Sequence, residues 1–207
     1  MKVFCLHAGA YASNSYVVVS DDNSEAVLID PSVNSDFVFR QCKDIPPIKK
    51  ILLTHAHFDH VMALEQWKKE RDVKLYATQK ASIALTDSEQ NGNSVFLGIN
   101  KTYPAADFIV SDGDVIKFGD SELTVMLTPG HTAGSCCYIA DGVAFTGDTV
   151  FADGGVGRTD LYGGSDQELY NSIVKIFSLL DDNTVIYSGH GRESTVKKEK
   201  YNHRTII

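Results

Sequence analysis

Ile51-Leu52-Leu53-Thr54-His55-Ala56-His57-Phe58-Asp59-His60 runs an apolar stretch straight into three imidazoles and a carboxylate. The leading aliphatic residues read as a buried β-strand that delivers the polar cluster to its end. Such a cluster is costly in a core and well suited to a metal. Imidazole nitrogen and carboxylate oxygen together favour zinc, iron and related divalent ions over magnesium or calcium. In extended or tightly turned backbone His55 and His57 point the same way, whereas Asp59 and His60 fall where the chain begins to coil and address a second point nearby. One segment can therefore serve two ions.

Three other apolar runs share this design. Val125-Met126-Leu127-Thr128-Pro129-Gly130 leads into His131, Val143-Ala144-Phe145-Thr146-Gly147 into Asp148, and Val185-Ile186-Tyr187-Ser188-Gly189 into His190. Each strand stops at a small or turn-forming residue and then presents a metal-competent side chain, the usual placement of reactive groups on a rigid sheet. Of the seven histidines, His7 and His203 alone stand outside the pattern and read as structural or surface residues.

The rest of the chain supplies a layered α/β framework. Ser15–Ser20 and Ala26–Asp30 read as a hairpin of β-branched strands, followed by a short helix over Ser35–Cys42 that ends before Pro46-Pro47. A helix is expected over Val61–Arg71 and a strand over Lys74–Ala77; from Thr78 to Asp107 the pattern supports one helix and a loop around Asn91-Gly92-Asn93. Asp114–Phe118 with Glu122–Leu127, and Ser135–Ala140 with Val143–Thr146, form two more hairpins. Ser165 and Glu168 form a capping box for a last helix whose Leu169, Ile173, Ile176, Phe177 and Leu180 share one face.

With 207 residues the chain fits one domain with a generous core. A formal charge of -8 argues against nonspecific nucleic-acid binding and favours a small-molecule substrate. Cys5, Cys42, Cys136 and Cys137 lack CxxC spacing and read as reduced thiols, the pattern of a cytoplasmic protein. No segment reaches the length of a membrane span, and the opening residues are too broken for a signal peptide.

Taken together, His55-x-His57-x-Asp59-His60, His131 in TPGHTAGS, Asp148 in FTGDTVF and His190 in SGHG resemble the metallo-β-lactamase superfamily, from about residue 13 to 195. The resemblance implies a four-layer αβ/βα sandwich of two mixed β-sheets flanked by helices, with a dinuclear site at one edge of the sheets. Within the superfamily the likeness is to short glyoxalase II-type hydrolases, through Asp148 in place of a cysteine ligand and through the stretch Gly154-Gly155-Val156-Gly157-Arg158-Thr159-Asp160. It implies that His55, His57 and His131 hold one divalent ion, that Asp59, His60 and His190 hold the other, and that Asp148 bridges them. The ions are expected to be zinc, with iron or manganese as alternatives. Asp30, in Leu28-Ile29-Asp30-Pro31, resembles the acid that the family places behind a metal-binding imidazole; as a residue before proline it also reads as a plain turn.

The implied reaction is hydrolysis of a thioester or related acyl ester by a hydroxide shared between two ions, which lower the pKa of water from about 15.7 to about 7. Asp59 and Asp148 are the expected catalytic carboxylates. Arg158 falls where the family often places a basic residue that faces the carboxylate of a thiol peptide. Ser135 and Cys136 read as packing residues and Lys197, Lys198 and Lys200 as a solvated basic tail. Larger glyoxalase II enzymes carry a C-terminal helical extension that binds glutathione, and residues 1–207 contain none, which leaves the acyl substrate open. A persulfide dioxygenase using one iron on the same fold, a lactonase and a noncatalytic metal binder are the competing readings.

Overall fold

The computed structural model describes residues 1–9 and 12–204. Its first sheet has the order β1 (Lys2–Leu6), β2 (Ser15–Val19), β3 (Ala26–Ile29), β4 (Ile48–Leu52), β5 (Lys74–Thr78) and β6 (Phe108–Val110). The pairs β1–β2 and β2–β3 are antiparallel, whereas β3 to β6 are parallel. Helices α1 (Ser35–Gln41), α2 (Phe58–Val61), α3 (Leu64–Glu70) and α4 (Gln79–Leu85) lie in the crossovers between the parallel strands.

The second sheet is built from β7 (Val115–Phe118), β8 (Ser121–Leu127), β9 (Cys136–Ala140), β10 (Val143–Gly147), β11 (Val185–Ser188) and β12 (Ser194–Thr195). All its neighbours are antiparallel except β10–β11, whose parallel connection is made by α5 (Asp166–Leu179). Because β8 and β10 both run antiparallel to β9, and β11 is parallel to β10, the ends of β8, β10 and β11 emerge at one edge. That direction brings His131, Asp148 and His190 to a common place.

Two mixed sheets and their helices make four layers. Alternation along β2 assigns the faces: Val17 and Val19 join the core shared with α1, α3 and α4, while Tyr16 and Val18 join the core between the sheets. Trp67 anchors the first of these cores, fully buried, with its indole N–H donating to the Val33 carbonyl at 2.8 Å. Cys136 faces the layer between the sheets, and Cys137 packs with α5 and with Val196 of α6 (Val196–Asn202). The four cysteines are free thiols, and among the described residues no helix is long and apolar enough to cross a membrane.

Several local expectations are refined. The helix expected over Val61–Arg71 is two helices, broken at Met62–Ala63, where the Ala63 amide donates to the Pro31 carbonyl at 3.0 Å. Strands β1 and β6 were not legible: β1 is an edge strand with little alternation, and β6 has three residues. The capping box of α5 is half formed, with Ser165 Oγ accepting from the Glu168 amide at 3.3 Å. The basic tail is helical; Lys198 pairs with Asp153 at 3.0 Å and Lys200 with Asp182 at 2.7 Å, while Lys197 is exposed. His203 is buried against Phe177, and His7 is exposed.

Candidate metal centre

At the shared edge, three groups of ligand atoms form, each with all its atoms within 4.8 Å of one another: His55, His57 and His131; His55, His60 and Asp148; and Asp59, His60 and His190. All seven residues expected at the site are therefore brought together. Asp148 Oδ1 lies 3.2 Å from His60 Nε2, and its Oδ2 lies 3.6 Å from His131 Nε2 and 3.5 Å from His190 Nε2. One carboxylate thus faces both clusters.

The hydrogen bonds behind the rings decide which nitrogen points inward. Thr54 Oγ1 gives its proton to Asp30 Oδ2 at 2.6 Å, so it accepts from His55 Nδ1–H at 3.1 Å. His131 Nδ1–H donates to the Arg158 carbonyl at 2.7 Å, and His60 Nδ1–H donates to Asp30 Oδ2 at 2.8 Å. The Nε2 lone pairs of His55, His60 and His131 are consequently turned into the site.

These lone pairs test whether a metal fits. His131 Nε2 stands 3.2 Å from His55 Nε2, two inward lone pairs that repel unless a cation lies between them, and 2.9 Å from His57 Nδ1. Zinc–nitrogen bonds of about 2.0–2.1 Å place neighbouring ligands of a tetrahedral ion about 3.3 Å apart. The observed separations are close to that edge. His60 Nε2 and Asp148 Oδ1 are buried and make no hydrogen bond, their 3.2 Å approach being poorly directed for one. Buried polar atoms without partners are rare, and here both belong to metal-ligand types. The residues present fit a divalent metal.

Electrostatics agree. Burial, reinforced by neighbouring imidazoles, holds His55 well below its ordinary pKa and brings His57 down to about 3; burial also lowers His131. These rings stay neutral and keep their lone pairs. Around His60 burial opposes a charge, yet Asp148, Asp59 and Asp30 outweigh it and raise the pKa well above the usual value. Asp148, although buried, is held below the ordinary carboxylate range by His60, His131 and His190. The second cluster therefore favours positive charge, which an ion supplies better than a proton.

Asp30 stands on the outer side of the cluster, its Oδ2 bonded to Thr54 Oγ1 and His60 Nδ1. Its φ of 52° places it in the left-handed region, and its carboxylate also accepts from the Thr54 amide at 2.8 Å. Other contributors escaped the sequence reading. Thr54 couples His55 to Asp30. Asn14 ties the His190 loop down, donating from Nδ2 to the carbonyls of Ser188 at 3.0 Å and Gly191 at 2.9 Å. Gly189 is required because a Cβ there would lie 2.1 Å from Asp148 Oδ1 and 2.7 Å from His60 Cε1. The only sequence signal for it was the small residue that precedes each ligand.

A cleft of about 400 Å³ opens over the ligands, walled by Phe58, Phe96, Phe151 and Leu161. Arg158 lies at its mouth, over the Phe96 ring, with its Nε 2.7 Å from Asp160 Oδ1 and its Nη2 2.7 Å from Asp160 Oδ2. The predicted substrate-facing cation is thus engaged by its own near neighbour.

The family model described as the metallo-beta-lactamase superfamily matches residues 8–190. The chain is 35% identical over 205 residues to the probable metallo-hydrolase YqgX of Bacillus subtilis, covering 97% of this chain and 95% of that protein. It is 32% identical over 205 residues to the hydroxyacylglutathione hydrolase GloC of Haemophilus influenzae, again covering 97% and 95%. Among solved structures, the B3 metallo-beta-lactamase BLEG-1 superposes with a TM-score of 0.89 at 32% identity over the full length of both chains. A sandwich of two mixed sheets with a histidine and aspartate cluster at its edge, and matches of this extent, lead to one conclusion: the chain belongs to the metallo-beta-lactamase superfamily.

Proposed function

We propose that the protein is a metal-dependent hydrolase of thioesters or related acyl esters that works with two divalent ions, zinc or alternatively iron or manganese. His55, His57 and His131 would hold one ion, and Asp59, His60 and His190 the other, with Asp148 between them. The observation that carries this reading is the pair of complete donor groups at one edge, with a buried carboxylate facing both. Such ions supply a water acidic enough to be hydroxide near neutral pH and polarise an acyl carbonyl.

The chain's own residues complete the chemistry. Asp59 Oδ2 lies 3.1 Å from His190 Nε2 on the open side of the cluster, where a carboxylate can accept a proton and orient an attacking water. Asp30 and Thr54 hold the imidazoles in the tautomer that leaves their inward nitrogens free. Neither Cys136 nor Ser135 competes as nucleophile: Cys136 is fully buried between the sheets, with burial raising its thiol pKa far above the ordinary value, and Ser135 Oγ is bonded to Thr132. The similarity to a hydroxyacylglutathione hydrolase supports a thioester as substrate.

The test is a screen of thioesters, lactones and β-lactams with metal content measured on the same sample. Two metals per chain with thioester turnover are expected. One iron per chain with oxygen uptake on a persulfide would overturn the hydrolase in favour of a dioxygenase.

A further inference from the structure

We infer that this cleft selects an uncharged acyl thioester or ester with an apolar acyl or leaving group, and that Asp160 sets this preference by occupying Arg158. The inference rests on the hydrolytic reading of the site and names the substrate class it takes.

The walls are the first observation. Phe58 and Phe96 pack with ring centroids 5.6 Å apart, and Phe151 and Leu161 face the same space as the ligands. Phe96 is 45% exposed, and its sequence neighbours Val95 and Leu97 are 55% and 45% exposed. Three consecutive large apolar side chains left in solvent, one of them on the cleft wall, are a ready surface for an apolar ligand. They sit in the π-turn Asn93–Leu97, which has left-handed Gly92 and Gly98 at its two ends.

The charge pattern is the second, independent observation. Arg158 is the one cation lining the cleft among the described residues. Its fork is matched two-pronged by Asp160, and its flat face lies over Phe96 at 5.5 Å, which leaves the guanidinium engaged on its donor edge. A carboxylate-bearing substrate must displace Asp160 to take the two-pronged Nε–Nη2 edge, and otherwise meets only the Nη1 side. The remaining charged groups of the cleft are Asp59, Asp148 and the histidines, which would be taken up by the two proposed ions. An apolar ligand needs no such displacement and covers Phe96.

The test compares neutral thioesters whose acyl group grows from acetyl to phenylacetyl with S-lactoylglutathione, on metal-loaded protein. kcat/KM is expected to rise about tenfold or more along the neutral series, the discrimination that apolar contacts supply. Phe96→Ala should flatten the series, and Asp160→Asn should raise kcat/KM for the carboxylate-bearing thioester about two- to fivefold, the worth of an exposed ion pair. Metal content is measured on each variant, so that loss of ions is not mistaken for loss of selectivity. A flat neutral series, or S-lactoylglutathione favoured in wild type and indifferent to Asp160→Asn, overturns the proposal. If no ester or thioester turns over, the hydrolytic reading fails, and calorimetry still decides the cleft's preference. There S-benzyl and S-carboxymethyl thioether ligands are titrated into the loaded protein, and tighter binding of the carboxymethyl ligand overturns the inference.

Discussion

Replacing Asp30 by Asn isolates the acid that stands behind the ligands. Asp30 Oδ1 accepts from the Thr54 amide, and Oδ2 accepts from both Thr54 Oγ1 and His60 Nδ1. Asn keeps the shape and tolerates the left-handed backbone, so the substitution changes hydrogen bonding more than conformation. Its amide nitrogen at the Oδ2 position would meet the His60 Nδ1–H donor to donor. His60 relieves that clash by moving its proton to Nε2, the atom aimed at Asp148, where a protonated nitrogen cannot ligate. Thr54 Oγ1 would accept from the new amide and turn its proton toward His55, disturbing that ring as well. Turned the other way, the amide would face the Thr54 backbone N–H. The expected loss of metal affinity is about 10- to 100-fold, as for other supporting partners of ligand imidazoles. The cost in fold stability is about 1–3 kcal/mol, the range for a mispaired buried group. Zinc titration by calorimetry and thermal unfolding of the chelated protein separate the two effects. Wild-type affinity for both ions in Asp30→Asn would refute the coupling through Asp30 and Thr54.

Other perturbations follow the same geometry. Gly189→Ala forces a Cβ to within 2.1 Å of Asp148 Oδ1, so kcat should fall about 100-fold, the penalty for moving a reacting group by about 1 Å; unchanged turnover and metal content would show that the loop accommodates it. Chelation should lower the unfolding midpoint by roughly 10 °C, from about 4 kcal/mol for one site at 1,000 times its Kd and about 2–4 °C per kcal/mol for a domain of this size; scanning calorimetry with and without metal reads this. Asp148→Ala should abolish turnover and lower metal content, and a variant that keeps both ions would remove Asp148 from its place between them. Burial raises the pKa of Glu199, but Ser194, Asn202 and the amides of Gly154 and Asp153 outweigh it and hold the carboxylate below its usual range. Its stabilising contribution is therefore present above the ordinary glutamate pKa of about 4.3 and lost as pH falls through the lower folded value. Glu199→Gln should lower stability at neutral pH by about 1–3 kcal/mol and flatten the acid side of the stability profile, and equal acid limbs in denaturant melts would count against it.

Much of the site could be read from the residues because its ligands follow strand ends, where apolar runs break abruptly into glycine and a donor. What stayed hidden depends on distance in the chain. Asp30 before a proline looks like a turn until β3 and β4 pair and set it beside Thr54 and His60. The tautomer of His131 is fixed by a carbonyl 27 positions away at Arg158, and nothing local marks that partner. Arg158 and Asp160 are near neighbours, but only the folded loop shows the acid turned back onto the base. Edge strands such as β1 owe their conformation to a partner, here the register from Lys2 opposite Val19 to Leu6 opposite Ser15, and so carry little signal of their own.

Each donor triad draws on both sheets. His55 and His57 follow β4 of the first sheet, while His131 follows β8 of the second; Asp59 and His60 belong with the first, and His190 follows β11 of the second. Neither half of the molecule alone presents a full set. Metal capture would therefore work as a check on assembly: a chain whose halves have not docked would offer an incomplete chelate, and only the joined sandwich would gain the full binding free energy. An ion seated there would rivet the two halves across their seam, so that loading the site would also report that the chain has folded.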